Sequence, residues 1–321
     1  MLFRYSLLLL LVLAGPDICA VTSSEPEPVE REHFVFYFDN PRYIDMADSV
    51  LSQTRERLKE LLNDSLSYKP SIYLVENIHH FHSLIRGRFP DWGAAAAFPE
   101  RQLMAIKSPE KFNINKPLKE LLIHEYTHLV VHDMCGFHLL PRWFDEGMAM
   151  FVSMEWNWSD NLAMNRAAVF GDLLPLDHIT KLNRFGQGKA QVAYAESYLA
   201  VKYIYDNYGV RSLSIFLNRI ASGGTPRDAL MASTGANALE FEQEFHEHLT
   251  KRFNILMLFM DTMFFWLALA VLVLVGVFLR YRKRRQYYKK WEEEEKLQST
   301  DFDYGDPGYP EQTDDDGPWR S

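Results

Sequence analysis

The feature that most constrains this chain is an apolar stretch into which ionisable groups are set. Residues 121–151 read LLIHEYTHLVVHDMCGFHLLPRWFDEGMAMF and hold four histidines and several carboxylates among leucines, valines and aromatic residues. A segment of this composition is buried in a folded protein, where an ionisable group is costly unless a hydrogen bond, an ion pair or a metal compensates it. The polar groups of this stretch are therefore predicted to have partners in the core.

The residues HEYTH at 124–128 fit the pattern H-E-x-x-H. Pro117 suits a helix start, and the run from Leu118 to Val131 is apolar almost all round, which predicts a buried helix. On a helix His124 and His128 lie one turn apart on the same face and can bind one Zn²⁺ ion. Glu125 lies about 100° around the axis, where it can reach the attacking water as a general base.

A second segment, LLPRWFDEGMAMFVS, extends this pattern. A catalytic zinc ion normally takes a third protein ligand, and Glu146 lies 18 residues after His128, at the start of a second amphipathic helix. The intervening loop contains Gly136 and Pro141, so the second helix can turn back beside the first.

These two segments together resemble the gluzincin superfamily, and specifically its peptidase MA-like members, over roughly residues 33–253. That family combines H-E-x-x-H on one helix with W-x-x-E-G on the next. The resemblance implies one Zn²⁺ per chain with His124, His128 and Glu146 as its ligands, and Glu125 as the catalytic base. By similarity to related aminopeptidases, which carry a tyrosine in a Y-E-x-G-like context, it also implies Tyr194 as the residue that stabilises the oxyanion.

Alternatives to these roles remain open. Tyr194 could belong to a core stripe of aromatic residues that continues through Tyr198, which would be the other oxyanion candidate. Met150 stands where many gluzincins carry an aspartate that orients a zinc-bound histidine, so that acceptor must come from elsewhere. The aminopeptidase segment G-x-M-E-N is missing, which favours an endopeptidase. A strand at 102–107 is expected to pair with the extended substrate.

Several neighbouring residues have simpler readings than a role at the metal. Asp145 is interpreted as an acid at a helix N-terminus, favoured by the macrodipole. His132 packs or meets solvent, or else contacts a zinc ligand from outside. His138 lies in the connecting loop, Cys135 is read as an inert core thiol, and the histidines of 79–82 lie on a surface helix.

The predicted fold class is α+β: a zincin-like domain with a small N-terminal sheet and a mostly helical C-terminal part, followed by a single transmembrane helix. Strands are expected within 33–40 and 71–77, and a hairpin over 94–109 turns at 99–101. Helices are expected at 44–62, 117–133, 141–155, 190–208, 211–221 and 237–253.

The chain ends suggest a membrane topology. Residues 1–20 have the layout of a secretory signal peptide, and 21–255 form the zinc domain. Residues 262–279 are 18 residues without a charge, so 259–280 is predicted to span a membrane, with a buried core helix as the alternative. Seven basic residues at 280–290 predict a cytoplasmic C-terminus. The tail, 281–321, is basic and then acidic and is predicted to be disordered.

The net charge of −9 argues against a nucleic-acid partner. Only two cysteines occur, which fits a bacterial envelope and the cell (inner) membrane, with the zinc domain on the extracytoplasmic side.

Two functions remain compatible with the sequence. The first is a membrane-anchored zinc metallopeptidase acting on polypeptides. The second is an inactive zincin-fold scaffold that recruits a cytoplasmic partner through its acidic tail.

Overall fold

A computed structural model describes residues 26–63, 66–85, 93–180 and 185–297. The predicted signal peptide and most of the acidic tail lie outside the described residues. Within them the chain is mostly helical, with a small sheet near its N-terminus. The first of two compact units ends at Leu258, and the second begins at Phe259.

Five strands form one sheet in the order β1-β2-β3-β5-β4. They are β1 (Val29–Glu30), β2 (Val35–Phe38), β3 (Ser71–Val75), β4 (Ala95–Phe98) and β5 (Leu103–Lys107). The three central strands run parallel, whereas β1 and β4 are antiparallel to their neighbours at the two edges. The central strands are rich in Phe, Ile, Tyr, Leu and Val, residue types that suit a pleated, buried surface.

The predicted hairpin is present, because β4 and β5 flank a turn at Pro99–Arg101. Gln102 closes that turn in the left-handed region, at φ 56°. The expectation that the strand at 102–107 offers an edge to a substrate is wrong. That strand is β5, and it is bonded to β3 on one side and to β4 on the other. The edge on this side of the sheet is β4.

Helices make up the rest of the described chain. They are α1 (Ile44–Leu62), α2 (Ile78–Ile85), α3 (Pro109–Phe112), α4 (Leu118–Met134), α5 (Arg142–Ser153), α6 (Trp158–Phe170), α7 (Gln187–Tyr208), α8 (Arg211–Ala221), α9 (Pro226–Thr234), α10 (Ala238–Arg252) and α11 (Ile255–Leu297). The helices expected from periodicity are all present, while α3, α6 and α9 were not predicted. The last two begin at a capping box, on Asn157 and on Thr225.

The two helices of the motif lie at the centre of the first unit. Helix α4 buries ten of its 17 residues and packs against α1, α5 and the strands β4 and β5. Helix α5 buries ten of its 12 residues between α4 and α7. The side chains that point from α4 to α5 are therefore held in a well-packed interior.

Gly147 explains how closely α5 and α7 approach. A Cβ atom added at Gly147 would lie 2.3 Å from the carbonyl oxygen of Ser197 and 2.7 Å from a methyl group of Val201. No side chain fits in that space. The glycine that follows Glu146 thus sets the distance between the two helices and with it the position of Glu146.

Helix α11 is a candidate membrane span, by its length and its apolar composition. It has 43 residues and is about 65 Å long. Its apolar residues expose their side chains, with Leu272 at 70% and Val277 at 61%. A core helix of a soluble protein would bury them, so the exposed surface favours the membrane over that alternative.

Candidate metal centre

Three side chains from α4 and α5 converge in the core. His124 Nε2 lies 3.5 Å from Glu146 Oε2, and His128 Nε2 lies 3.9 Å from the same oxygen. The ring centroids of the two histidines are 5.0 Å apart. Each residue has a ligand atom within 4.8 Å of the others. Ligand atoms around a tetrahedral zinc ion, at bonds of roughly 2.1 Å, lie about 3.4 Å from one another. The three residues predicted as ligands therefore fit such an ion.

The charges around these residues also favour a cation. Burial alone would lower the pKa of His124, but the carboxylates of Glu146 and Glu155 raise it to about 10. Burial alone would raise the pKa of Glu146, and the histidines together with Arg142 hold it below its usual range. A cation placed between the two imidazoles and the carboxylate would be stabilised in the same way as these protons.

Glu125, the predicted base, is only 8% exposed and lies on α4 between the two histidines. Burial raises the pKa of its carboxyl group above the usual range, an effect that His124 and His128 partly oppose. A carboxylate with a raised pKa is a better proton acceptor near neutral pH than one at the surface.

The second histidine is oriented by Asp145. Asp145 Oδ1 lies 2.6 Å from Nδ1 of His128 and 3.3 Å from Nε2 of His132. Burial would raise the pKa of Asp145, but His128 and His132 lower it well below its usual range. If Nδ1 of His128 donates this hydrogen bond, its Nε2 is left free for a metal. Asp145 does lie in the first turn of α5, as expected, yet its contacts show a further role that the sequence analysis did not assign.

The first histidine is oriented by Glu155, a residue that sequence reasoning missed. Its Oε1 atom lies 2.9 Å from Nδ1 of His124 and accepts a hydrogen bond from Ser153 Oγ at 2.8 Å. Its other oxygen contacts the ammonium group of Lys116. Burial would raise the pKa of Glu155, but His124 and Lys116 lower it to about 2. The carboxylate is thus held ionised beside the metal centre.

The position of Glu155 depends on how α5 ends. Met154 takes the left-handed conformation at φ 59°, and the N–H of Glu155 then donates to the carbonyl of Met150 at 3.0 Å. This turn brings the carboxylate back towards α4. Met150, where the family pattern has an aspartate, is itself a core residue with 7% exposure. No short motif marks Glu155 in the sequence; the one signal is an acid directly after an apolar helix.

The two tyrosines considered for oxyanion stabilisation have different surroundings. Burial and the carboxylates of Glu146 and Glu125 raise the pKa of Tyr194, and the nearby Arg142 opposes that rise. Tyr198 instead stacks on Trp156, with ring centroids 4.9 Å apart. The structure thus brings Tyr194, and not Tyr198, next to the predicted ligands and base.

Arg142 also belongs to this centre, although no sequence pattern predicted it. Its guanidinium group contacts Glu146 Oε1 and lies 3.5 Å from Asp145 Oδ2. The side chain remains 42% exposed. Arg142 therefore links the third predicted ligand to the solvent-facing side of the site.

The remaining candidates lie outside the centre. His138 is exposed, and Cys135 is buried with its thiol directed at the carbonyls of His132 and His138. Burial raises the pKa of Cys135 to about 11, which fits an inert thiol. The histidines of 79–82 lie on helix α2, as predicted, with His79 and His82 exposed.

A buried pair of histidines one turn apart, with a glutamate on the facing helix, defines a candidate metal centre of the His-Glu-x-x-His class. A family model described as Peptidase MA superfamily (Peptidase_MA_2) matches residues 52–251, which include both motif helices and α7. The chain belongs to this superfamily. A search of curated proteins found no match.

Proposed function

We propose that this protein is a membrane-anchored zinc metallopeptidase that hydrolyses peptide bonds in polypeptides on the extracytoplasmic side of the membrane. The observation that carries the proposal is the arrangement of His124 Nε2, His128 Nε2 and Glu146 Oε2 around one point, with Glu125 on the same helix. Membership of the peptidase MA superfamily supports the reaction class.

The three side chains would hold one Zn²⁺ through those atoms. When bound, zinc supplies a Lewis acid that polarises the peptide carbonyl and lowers the pKa of water. Asp145 and Glu155 keep the two imidazoles in the tautomer and orientation that present Nε2. Arg142 holds one oxygen of Glu146 and leaves Oε2 directed at the histidines.

Glu125 is proposed as the general base. It accepts a proton from the water that attacks the peptide carbon and later passes the proton to the departing amine, so atoms and charge balance over the cycle. Tyr194 is proposed to donate a hydrogen bond to the oxyanion that forms. The adjacent Arg142 keeps the phenol in place.

Among the strands that the structure describes, one sheet edge is available to an extended substrate at this site. Strand β4 is the edge of the sheet and packs directly against α4. A polypeptide that pairs with β4 would run along the helix that carries His124 and Glu125, which suits an endopeptidase. This edge replaces the strand at 102–107, which is internal.

The alternative of an inactive scaffold rested on the missing aspartate at position 150. Glu155 fills that role by binding Nδ1 of His124. A buried base beside the ligands also has no use in a purely structural site. Both observations favour the enzyme.

Membrane anchoring is assigned to α11, with the chain crossing at 259–280. The basic cluster at 280–290 then orients the protein with residues 21–255 outside the cell (inner) membrane and with 281–321 in the cytoplasm. Lipid surrounds the span, and the acidic tail remains available to a cytoplasmic partner.

The test uses the full-length protein in detergent with an unfolded protein as substrate. Wild type should contain about one zinc per chain and cleave the substrate. Glu125→Gln should keep the zinc while hydrolysis falls by roughly 10²–10⁴-fold. Glu120→Gln, at a half-buried position in the first turn of the same helix, is the matched control and should match wild type. Equal activity of wild type and Glu125→Gln, or a zinc content far below one, would overturn the proposal.

A further inference from the structure

A second polar pocket lies behind the motif helix. It has a volume of about 190 Å³, and its polar lining consists of His33, Arg55, Ser67, Tyr68, Lys69 and Tyr126. Tyr126 follows His124 by two residues and therefore points about 200° around the axis of α4, away from the metal centre. The pocket is thus separate from the candidate active site.

Four parts of the fold meet at this pocket. His33 precedes β2, Arg55 lies on α1, residues 66–69 lead into β3, and Tyr126 lies on α4. These elements are fixed by the core, since Tyr126 is 1% exposed and packs on Phe34 with ring centroids 5.6 Å apart. The lining is therefore held by packed structure on several sides rather than by a single surface loop.

Two buried polar atoms belong to residues that line the pocket. Among the residues that the structure describes, neither Nε of Arg55 nor the hydroxyl of Tyr68 has a hydrogen-bond partner, although both atoms are shielded from solvent. The Arg55 guanidinium lies close enough to the Tyr126 phenol to oppose the rise in its pKa that burial causes. A buried donor left without an acceptor carries a free-energy cost. A ligand with acceptor oxygens would remove that cost.

The charge of the lining is positive. Arg55 and Lys69 have no carboxylate within ion-pair distance in the described part of the chain. Lys69 donates to the carbonyl of Arg31 at 3.0 Å. The carboxylate at the rim, Asp133, already accepts from the backbone and the hydroxyl of Ser67, at 3.2 Å each. The carboxylate near His33 is Glu32, at 3.7 Å and 87% exposed.

We propose that this pocket binds a phosphate group. Arginine, lysine, imidazole and phenol groups all donate hydrogen bonds, and they belong to four parts of the fold, so an anion with several acceptor oxygens suits them better than a single carboxylate does. The volume is below the roughly 300–1,000 Å³ of pockets for drug-sized molecules, so a phosphate fits and a nucleotide does not. The proposal does not depend on the proposed peptidase activity.

A bound phosphate would connect Tyr126 on α4 to helix α1 and to the segments that precede β2 and β3. That helix carries both predicted histidine ligands. Occupancy of the pocket would therefore stabilise the helix of the metal centre from its rear face.

The experiment is a titration of the full-length protein with inorganic phosphate, in a detergent without phosphate groups and at constant ionic strength. The protein is first treated with a chelator, so that no anion bound to a metal contributes. Wild type should show saturable binding of one phosphate by calorimetry. Arg55→Gln should weaken the affinity about tenfold or more, and Tyr68→Phe several-fold, because each removes a donor to a charged group. Lys59→Gln, exposed on the same helix α1, should bind as wild type does.

Competition identifies the class and source of the ligand. If the phosphate group is esterified in the cell, glycerol phosphate and a soluble short-chain phosphatidic acid should both displace inorganic phosphate. Stronger displacement by the phosphatidic acid would identify the natural ligand as a lipid headgroup. Acetate that competes equally well would overturn the phosphate assignment. Absence of saturable binding by wild type, or equal binding by Arg55→Gln and Tyr68→Phe with wild-type circular dichroism, would remove the site altogether.

Discussion

Glu155 Oε1 lies 2.9 Å from Nδ1 of His124 and so connects the chain after α5 to the first histidine of the motif. The carboxylate is 9% exposed and is also bound to Ser153 and Lys116. Such outer contacts fix the tautomer and orientation of a histidine ligand and increase its basicity. In this chain they come from a position nine residues beyond Glu146, and not from the next turn of the same helix.

Loss of this contact should weaken metal binding. We expect Glu155→Ala to lower the zinc affinity by roughly 10–100-fold, because His124 loses the acceptor that orients it. Glu155→Gln keeps an acceptor oxygen but not the charge and should fall between Ala and wild type. Zinc competition with a chromophoric chelator measures the affinity. Glu120→Ala, half-buried in the first turn of α4, is the control, and an unchanged affinity in Glu155→Ala would contradict the role.

Substitutions of Tyr194 and Tyr198 on α7 should lower the rate of catalysis to different extents. Tyr194→Phe removes the phenol beside Arg142 and Glu146 and should lower the rate of peptide hydrolysis about 10²–10³-fold with zinc still bound. Tyr198→Phe keeps the ring stacked on Trp156 and should retain most of the activity. The measurement is kcat together with metal content for each variant. A larger loss in Tyr198→Phe would move the oxyanion role one turn along the helix.

The close contact at Gly147 should make this position intolerant of any side chain. Gly147→Ala places Cβ against the carbonyl of Ser197 and should destabilise the fold by about 1–3 kcal/mol or more, since α5 and α7 must move apart. Gly188→Ala, at the start of α7 with open space around it, should be neutral or slightly stabilising. Urea unfolding followed by circular dichroism compares the two. Equal stability of both variants would show that the helices adjust freely.

Glu196 should make the stability depend on pH. Its carboxyl group is fully buried and accepts the N–H of Leu174 at 2.9 Å. Burial raises its pKa to about 8 from an ordinary 4.5. The folded state therefore binds one more proton than the unfolded state between these values. The free energy of unfolding should fall as the pH rises through that window and change no further through this group above it.

Glu196→Gln tests that dependence. The amide keeps an acceptor for Leu174 and cannot ionise, so the variant should exceed wild type by on the order of 1–3 kcal/mol at pH 8.5 and by much less at pH 5. Urea unfolding at both pH values gives the comparison, with the exposed residue Glu100 changed to Gln as control. A constant difference between Glu196→Gln and wild type at all pH values would show that Glu196 does not titrate in this range.

The topology can be read by protease accessibility. Protease added to spheroplasts that express the protein should digest residues 21–258 and spare the C-terminal tail, because the basic residues at 280–290 favour the cytoplasmic side. Detergent should make both parts accessible. Protection of the folded domain together with loss of the tail would reverse the orientation.

Much of the local structure followed from the sequence. Hydrophobic periodicity gave α1 and α8 at their observed bounds and α4 within one residue at each end, because these helices bury one face or nearly all of their surface. Helix α3 was missed because it is a single turn, and α6 and α9 were missed because neither has a long apolar stripe: α6 buries four of its 13 residues and α9 three of its nine. The turn residues predicted the hairpin. The order of the strands in the sheet has no comparable local signal, and β5 was therefore wrongly expected to be an edge strand.

The residues that could form the metal centre can be recognised in the amino-acid sequence. The spacing of His124 and His128 on a helix fixes their common face, and Glu146 follows on a second helix after a turn. Their surroundings, in contrast, result from tertiary packing. Asp145, Arg142 and Glu155 reach the centre through helix packing and a left-handed turn at Met154, and Arg55 meets Tyr126 from a distant part of the chain. Contacts of this kind are set by where separate elements lie in space, and no local periodicity records them.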